Sequence, residues 1–504
     1  MMLNEKLQDI RTELQGKWGI LVVLLLGWLF CFKYILGGNL SMGMMIGLLP
    51  LVLLLGGLFI KRPVVLFSVL FTVNYFIMGS LRYLIHHPLP LPISVIMDFL
   101  YIMLVCILLI KCVWGQYEIR KIGIGILFIY LIWVGFCLLQ AFNNTCGTGF
   151  EITPWFREIR PLAFHSIYII IIFAILFRKV EHIKWYLYIW AIFTLLAAAK
   201  GYWQRNHGFD QQEWWWLWSG GATTHLINSG IRYFSFFSDA ANFGSNMAFC
   251  TVTFGLVALY IKGWKSKIFF LGVALVSGYG LMISGTRSAL FVALAGFVLY
   301  TLLSKSWKLF LLSLSVIVLA IGFLKFTTIG DENRLIHRMR TAFDPTDASL
   351  QVRLDNQKAM KAYMKEAPWG IGLGRDGSNV PVNNKYRLVS TTATDSTLVY
   401  IWIRTGAIGL TIYLLLFVAT MIGGCYIVLF KIKSKELRGI LTAMLCGAAC
   451  MMVAAYGNNI YLQYPNGLLI FGCETLVFLG PYFDKQLTKQ KEDKEKENAD
   501  PQPA

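Results

Sequence analysis

Two arginines stand where a charge is hard to keep. Arg287 lies in Ser284-Gly285-Thr286-Arg287-Ser288, a short break between two apolar runs, and Arg232 lies in Ile231-Arg232-Tyr233-Phe234-Ser235, just ahead of a third. A charge at the rim of a hydrocarbon environment is costly unless it is paired or used. A guanidinium is a planar fork of donors that grips phosphate or carboxylate with two parallel hydrogen bonds. Two such groups at one surface could hold the diphosphate of a lipid-linked substrate. The competing reading is structural: such arginines can be neutralised by loop acids such as Asp331, Glu332 and Asp355, or can touch lipid phosphates.

The rest of the chain says what must position them. Of 504 residues, 57% are hydrophobic and only 14% are charged. Soluble proteins carry about 25% charged residues, so this balance excludes a soluble enzyme, a disordered chain and a nucleic-acid-binding domain built on a basic surface. Membrane lipids are expected partners and nucleic acid is not. Fourteen stretches approach the ~20 apolar residues of a spanning helix. Eleven lie between Trp18 and Leu324 and three between Leu398 and Phe483. The expected fold class is therefore an all-α polytopic membrane protein, with about 14 transmembrane helices and a helical periplasmic loop subdomain. The first run has no small-residue cleavage site before Lys33 and reads as a retained span.

Basic residues fall in every second short loop, among them Lys61/Arg62, Arg178/Lys179/Lys184 and Lys431/Lys433/Lys435/Arg438. By the positive-inside rule these loops and both termini are cytoplasmic. The expected organisation is a cytoplasmic N-terminus (1–17), transmembrane helices 1–11 (18–324), a large periplasmic loop subdomain (325–397), transmembrane helices 12–14 (398–483) and a disordered cytoplasmic tail (484–504). The tail's polar Glu/Lys composition suggests disorder. Long loops on the outer side also cover residues 141–161 and 200–240. The largest loop has helical spacing of its own, with Leu335, Ile336, Met339 and Phe343 in one segment and Leu350, Leu354, Tyr363 and Met364 in another. Trp214, Trp215, Trp216 and Trp218 read as an interfacial belt or, alternatively, as a sugar-stacking surface.

With sides assigned, 13 of the 18 arginines lie outside, whereas the cytoplasmic loops use mostly lysine. Orientation needs only charge, so this asymmetry points to an anionic ligand at the outer face. Arg157, Arg160 and Arg353 join Arg232 and Arg287 as substrate-binding candidates. No metal or cofactor is expected: the ten cysteines sit mostly in apolar runs without a CxxC pair, and neither an external Asp-Xaa-Asp nor an HExxH spacing occurs. His86 and His87 read as loop residues, and Cys446 with Cys450 as packing. Gly370, Gly372 and Gly374 lack the lysine and strand context of a phosphate loop and predict a tight turn. Asp98 and Glu474 are acids within apolar runs, each able to pair across helices.

Three segments carry a family resemblance: Gly285-Thr286-Arg287-Ser288-Ala289, Arg353-Leu354 through Pro368-Trp369-Gly370-Ile371-Gly372-Leu373-Gly374, and Gly406-Ala407-Ile408-Gly409-Leu410. In order, spacing and side they resemble the O-antigen ligase and O-antigen polymerase superfamily of bacterial envelope glycosyltransferases. The resemblance covers roughly residues 231–417. It implies a GT-C type enzyme of the bacterial inner membrane, working at the periplasmic face without a metal. The donor would be a glycan on undecaprenyl pyrophosphate, and the acceptor a glycan or lipid A-core. A chain-length regulator would be a further partner.

The resemblance also assigns residues. The family's pyrophosphate-binding arginines map onto Arg232 and Arg287. Ligases place a histidine at the end of the long loop, and counting back from Gly406 that position is Asp395. Asp395, Arg287 and Arg232 are thus the expected catalytic set, the carboxylate accepting or orienting the proton of an attacking hydroxyl. The departure from histidine favours polymerase over ligase. A polysaccharide flippase or other transporter is the reading from another class. It is disfavoured by the lack of internal repeats, the scarcity of intramembrane charge and the large external loop.

Overall fold

The computed structural model describes residues 56–83, 93–119, 124–227, 230–304, 307–330, 332, 336–337, 340, 348–392, 394 and 396–499. The chain divides into two units, Met1–Val69 and Leu70–Ala504. In the first, the described residues are 56–69, which include the opening of α1 (Pro63–Tyr83). All that follows concerns the second.

Its helices are α2 (Ile93–Val113), α3 (Gly125–Leu139), α4 (Ile152–Ile159), α5 (His165–Leu176), α6 (Val180–His207), α7 (Gln211–Trp216), α8 (Ala222–His225) and α9 (Ala240–Tyr260). There follow α10 (Trp264–Ile283), α11 (Arg287–Leu303), α12 (Trp307–Phe326), α13 (Ala348–Met364), α14 (Arg387–Thr391), α15 (Thr397–Tyr426), α16 (Lys435–Gly457), α17 (Asn466–Phe478) and α18 (Gly480–Ala499). The strands among the described residues are a short antiparallel pair, Leu226–Ile227 with Gly230–Ile231. Nine described helices are long and apolar enough to cross a membrane, and ten if the bent pair α17 and α18 counts as one. The protein is thus an all-α, multi-pass membrane protein. The expected span at 18–35, and the one at 41–60 as far as residue 55, lie outside the described residues. Another, α11, is a shorter apolar helix.

α9 is the axis of the core. Asp239 caps it, its Oδ1 accepting from the N–H groups of Ala241 (2.8 Å) and Asn242 (2.9 Å). The first three turns are buried on all sides, and the amides that they carry are met by other buried amides. Its neighbours are α10, α11 and α16. Gly244 allows a close approach: a Cβ there would strike the side chain of Ser284, in the break between α10 and α11. A chain of buried amides adds direction to this packing. Tyr75 donates to Asn246 (3.2 Å), Asn246 to Asn466 (2.8 Å), and Asn466 to Asn242 (2.6 Å), tying α17 to α9.

Three expectations need correction. The loop placed at 141–161 is partly helix: α4 runs through a π turn at Arg160–Phe164 into α5, making one apolar helical stretch, Ile152–Leu176. α6 likewise extends beyond its apolar core to His207. The tail expected to be disordered from 484 is helical to Ala499. Its start is fixed by Asp484, which accepts from the N–H groups of Lys433 (3.0 Å) and Ser434 (2.8 Å). Beyond that, opposite charges spaced four apart, Lys489 with Asp493 and Lys491 with Glu495, favour helix.

Between α12 and α15, Met360, Met364, Ala367, Ile371, Val380, Tyr386 and Val389 form a small core with Cys146 and Ile403. The helical spacing read at Tyr363 and Met364 thus belongs to α13, whereas Leu335, Met339 and Phe343 lie outside the described residues.

Candidate functional site

The site forms where three breaks in the helical bundle meet: before α9, between α10 and α11, and after α16. Arg232 leaves the hairpin with its N–H bonded to the His225 carbonyl (2.9 Å). Its guanidinium donates to the Thr224 carbonyl (3.0 Å) and to Thr286 Oγ1 (3.1 Å). Thr286 in turn donates to the Ala240 carbonyl (2.8 Å), so the break and the first turn of α9 hold one arginine between them. His225 closes the cradle. Its Nε2 accepts from Ala240 N–H (3.0 Å) and its Nδ1 lies 2.8 Å from the Gly221 carbonyl, which fixes a neutral ring with the proton on Nδ1. Burial pushes this imidazole down to about 4.

Arg287 opens α11, as the break in the sequence predicts. The adjacent Ser288 Oγ accepts from Asn458 Nδ2 (2.7 Å), just past the end of α16. A Cβ on neighbouring Gly457 would lie 3.3 Å from Ser288 and 4.0 Å from Arg353 Nη1. Arg353, on α13, therefore reaches the same place. The charges register this gathering: the Arg232 guanidinium is held below its ordinary value first by burial, opposed by Asp239, and then by Arg287 and Arg353. Its Nε is a buried donor with no hydrogen-bond partner among the described residues. Three guanidiniums gathered near Asp239 are an arrangement that can bind an anion.

Asp395 lies outside the described residues. The chain immediately after it is pinned to this same corner. Ser396 Oγ donates to the Ala455 carbonyl (3.0 Å), and Thr397 Oγ1 to the Asn458 carbonyl (3.2 Å).

Arg157 and Arg160 do not join the cluster through any described contact. Arg160 is ion-paired with Asp98, which also holds His165 Nε2 at 2.7 Å, and Arg157 is ion-paired with Asp376. Arg404 pairs with Glu158 (3.0 Å), whose other oxygen accepts from Gly374 N–H (2.6 Å). The structural reading of outer arginines thus holds for these three, with partners other than the loop acids the sequence suggested.

The glycine run is a turn, with φ of +80° at Gly370, +96° at Gly372 and +78° at Gly374. It crosses α15 where that helix kinks at Gly406 (φ 72°, ψ −174°). Ile371 and Gly372 donate to the Ile403 (2.9 Å) and Arg404 (3.1 Å) carbonyls. A Cβ on Gly406 would strike the Pro368 carbonyl, and one on Gly370 would strike the Arg404 backbone. Two separated glycine motifs are one crossing, and it anchors the segment carrying α13.

Residues 272–414 match the family model described as O-antigen ligase. The resemblance to the O-antigen ligase and polymerase superfamily is borne out. A curated relative, the O-antigen polymerase of Salmonella muenchen, is 29% identical over 198 residues, which are 38% of this chain and 48% of that protein. The chain thus spans about half the length of this curated relative. The O-antigen ligase match takes in Arg287, Arg353 and both halves of the glycine crossing, while Arg232 and the Asp98 group lie before it.

Sequence reasoning missed Asp239, Thr286, His225 and Asn458, which position the arginines. It also missed Arg82, which is stacked between Trp216 (4.4 Å) and Phe234 (4.2 Å) and donates to the carbonyls of Ser235 and Phe237. The only signal for these was polar residues beside apolar runs, which marks helix ends equally well.

Proposed function

We propose that the protein is an integral-membrane glycosyltransferase that moves a glycan from undecaprenyl pyrophosphate to a sugar hydroxyl at the periplasmic face of the bacterial inner membrane, during synthesis of a surface polysaccharide. The observation carrying this reading is the convergence of Arg232, Arg287 and Arg353 near Asp239. When the anomeric carbon–oxygen bond breaks, negative charge develops on the departing pyrophosphate. Guanidiniums already oriented in a partly dehydrated site lower that barrier without reorganising. Asp395, flanked by the pinned Ser396 and Thr397, takes or orients the proton of the attacking hydroxyl. In this arrangement both termini are cytoplasmic and residues 325–397 are an external subdomain.

Polymerase is favoured by the name of the Salmonella muenchen relative and by Asp395 in place of histidine; the name of the matching family keeps ligase as the second reading. The deciding experiment is a gel profile of surface and undecaprenyl-linked glycan in a deletion strain complemented with wild type or Asp395→Ala. A polymerase leaves surface lipid with a single repeat when it is lost. A ligase leaves full-length polymer stranded on undecaprenyl, and unchanged profiles would defeat both.

A further inference from the structure

A cavity of about 280 Å³ opens next to the arginine cluster, lined by Ser94, Arg157, Arg160, His165, Gln463 and Tyr464 among others. Gln463 marks how near it lies. Its Oε1 accepts from Ser238 Oγ (2.7 Å) and Asn242 Nδ2 (3.0 Å), which ties the cavity wall to the capped first turn of α9. Both arginines of this cavity are matched by carboxylates, Arg160 by Asp98 and Arg157 by Asp376. An anion would gain little here. The wall is mostly apolar, with Met78, Pro161 and Leu462 beside the paired groups, so it suits a neutral ring that has a C–H face and hydroxyls at its edge to meet the few donors and acceptors.

His165 is the fixed element. Its ring sits between Tyr101 (centroids 5.2 Å apart) and Tyr464 (6.1 Å). Asp98 already accepts from Arg160, so His165 donates to it through Nε2–H, which leaves Nδ1 as a hydrogen-bond acceptor. The volume falls just below the ~300 Å³ at which pockets for small organic ligands begin, which suits one sugar ring rather than a chain.

We propose that this cavity is the acceptor subsite, taking the single sugar ring whose hydroxyl is to be glycosylated, with His165 held by Asp98 as the group that reads a hydroxyl. The proposal rests on the glycosyl-transfer reading above. It separates the two substrates by charge: lipid pyrophosphate at Arg232, Arg287 and Arg353, and neutral sugar at Asp98, Arg160 and His165.

The test measures binding of two probes to the full-length protein in nanodiscs. One is undecaprenyl pyrophosphate; the other is the oligosaccharide repeat released from the host strain's surface polysaccharide, observed by saturation-transfer NMR. Ser94→Trp fills the cavity from its half-buried rim without touching the ion pair, and His165→Ala removes the reader. Both are expected to weaken the oligosaccharide at least tenfold and leave undecaprenyl pyrophosphate unchanged, with Arg287→Ala giving the reverse. Oligosaccharide binding that is absent in wild type, or unaltered in a folded Ser94→Trp protein, overturns the subsite. Oligosaccharide binding that is lost in Ser94→Trp while undecaprenyl pyrophosphate binds neither wild type nor Arg287→Ala supports the sugar cavity and defeats the transfer reading instead.

Discussion

Arg160 and Arg232 are both largely withdrawn from water, yet what answers their charge differs. Arg160 faces the Asp98 carboxylate, which a histidine supports from its other side. Arg232 donates to a hydroxyl and a carbonyl, both neutral, and shares its surroundings with Arg287 and Arg353. The first region is complete as it stands. The second gathers three guanidiniums near Asp239. Counting arginines on a surface therefore says little about anion binding until each one's partner is known, and here Arg157, Arg160 and Arg404 each have a carboxylate.

That division can be broken most forcefully at Arg287. Arg287→Ala is expected to lower transfer from the lipid-linked donor by about 10²-fold or more, the cost of losing one preorganised donor to a developing anion. Thermal unfolding of the purified protein, measured alongside, separates a loss of transfer from a loss of fold. Near-normal chain lengths on a gel would remove Arg287 from the anion site.

At Asp98 the expected loss is in stability. Asp98→Ala leaves the buried Arg160 uncompensated, at a cost of about 3–5 kcal/mol, so the melting temperature and folded yield should fall. Combining it with Arg160→Leu should recover part of the loss. A single mutant as stable as wild type would mean that Arg160 is not held by Asp98, and the contrast with Arg232 would fail.

The smallest effect should come from Arg157, whose side chain is 57% exposed while it pairs with Asp376. Arg157→Gln is expected to cost under about 1 kcal/mol in stability, since solvent screens such pairs. A large loss in a denaturation series would show that the cavity rim bears more of the fold than its exposure implies.

Much of this architecture was legible in the sequence because lipid imposes simple rules. Apolar runs of the right length became helices, the Ser284–Ser288 break separated α10 from α11, and the glycine triplet was a turn. The pairing of charges was not legible. Asp98 meets Arg160 across 62 positions and Arg157 meets Asp376 across 219, and no local pattern selects one carboxylate over another at such range. The tail misled for a related reason: its composition resembles that of disordered chains, while its helix depends on Asp484 anchoring the start and on charge spacing along the rest.

Asn458 has a consequence for how such a protein can vary. Its side-chain amide holds Ser288 while its carbonyl holds Thr397. The spacing between the arginine-bearing break and the chain that follows Asp395 is thus set at the end of α16, and not by the path between them. Replacing Asn458 would therefore loosen both contacts at once, whereas a change at Ser288 or Thr397 would loosen one.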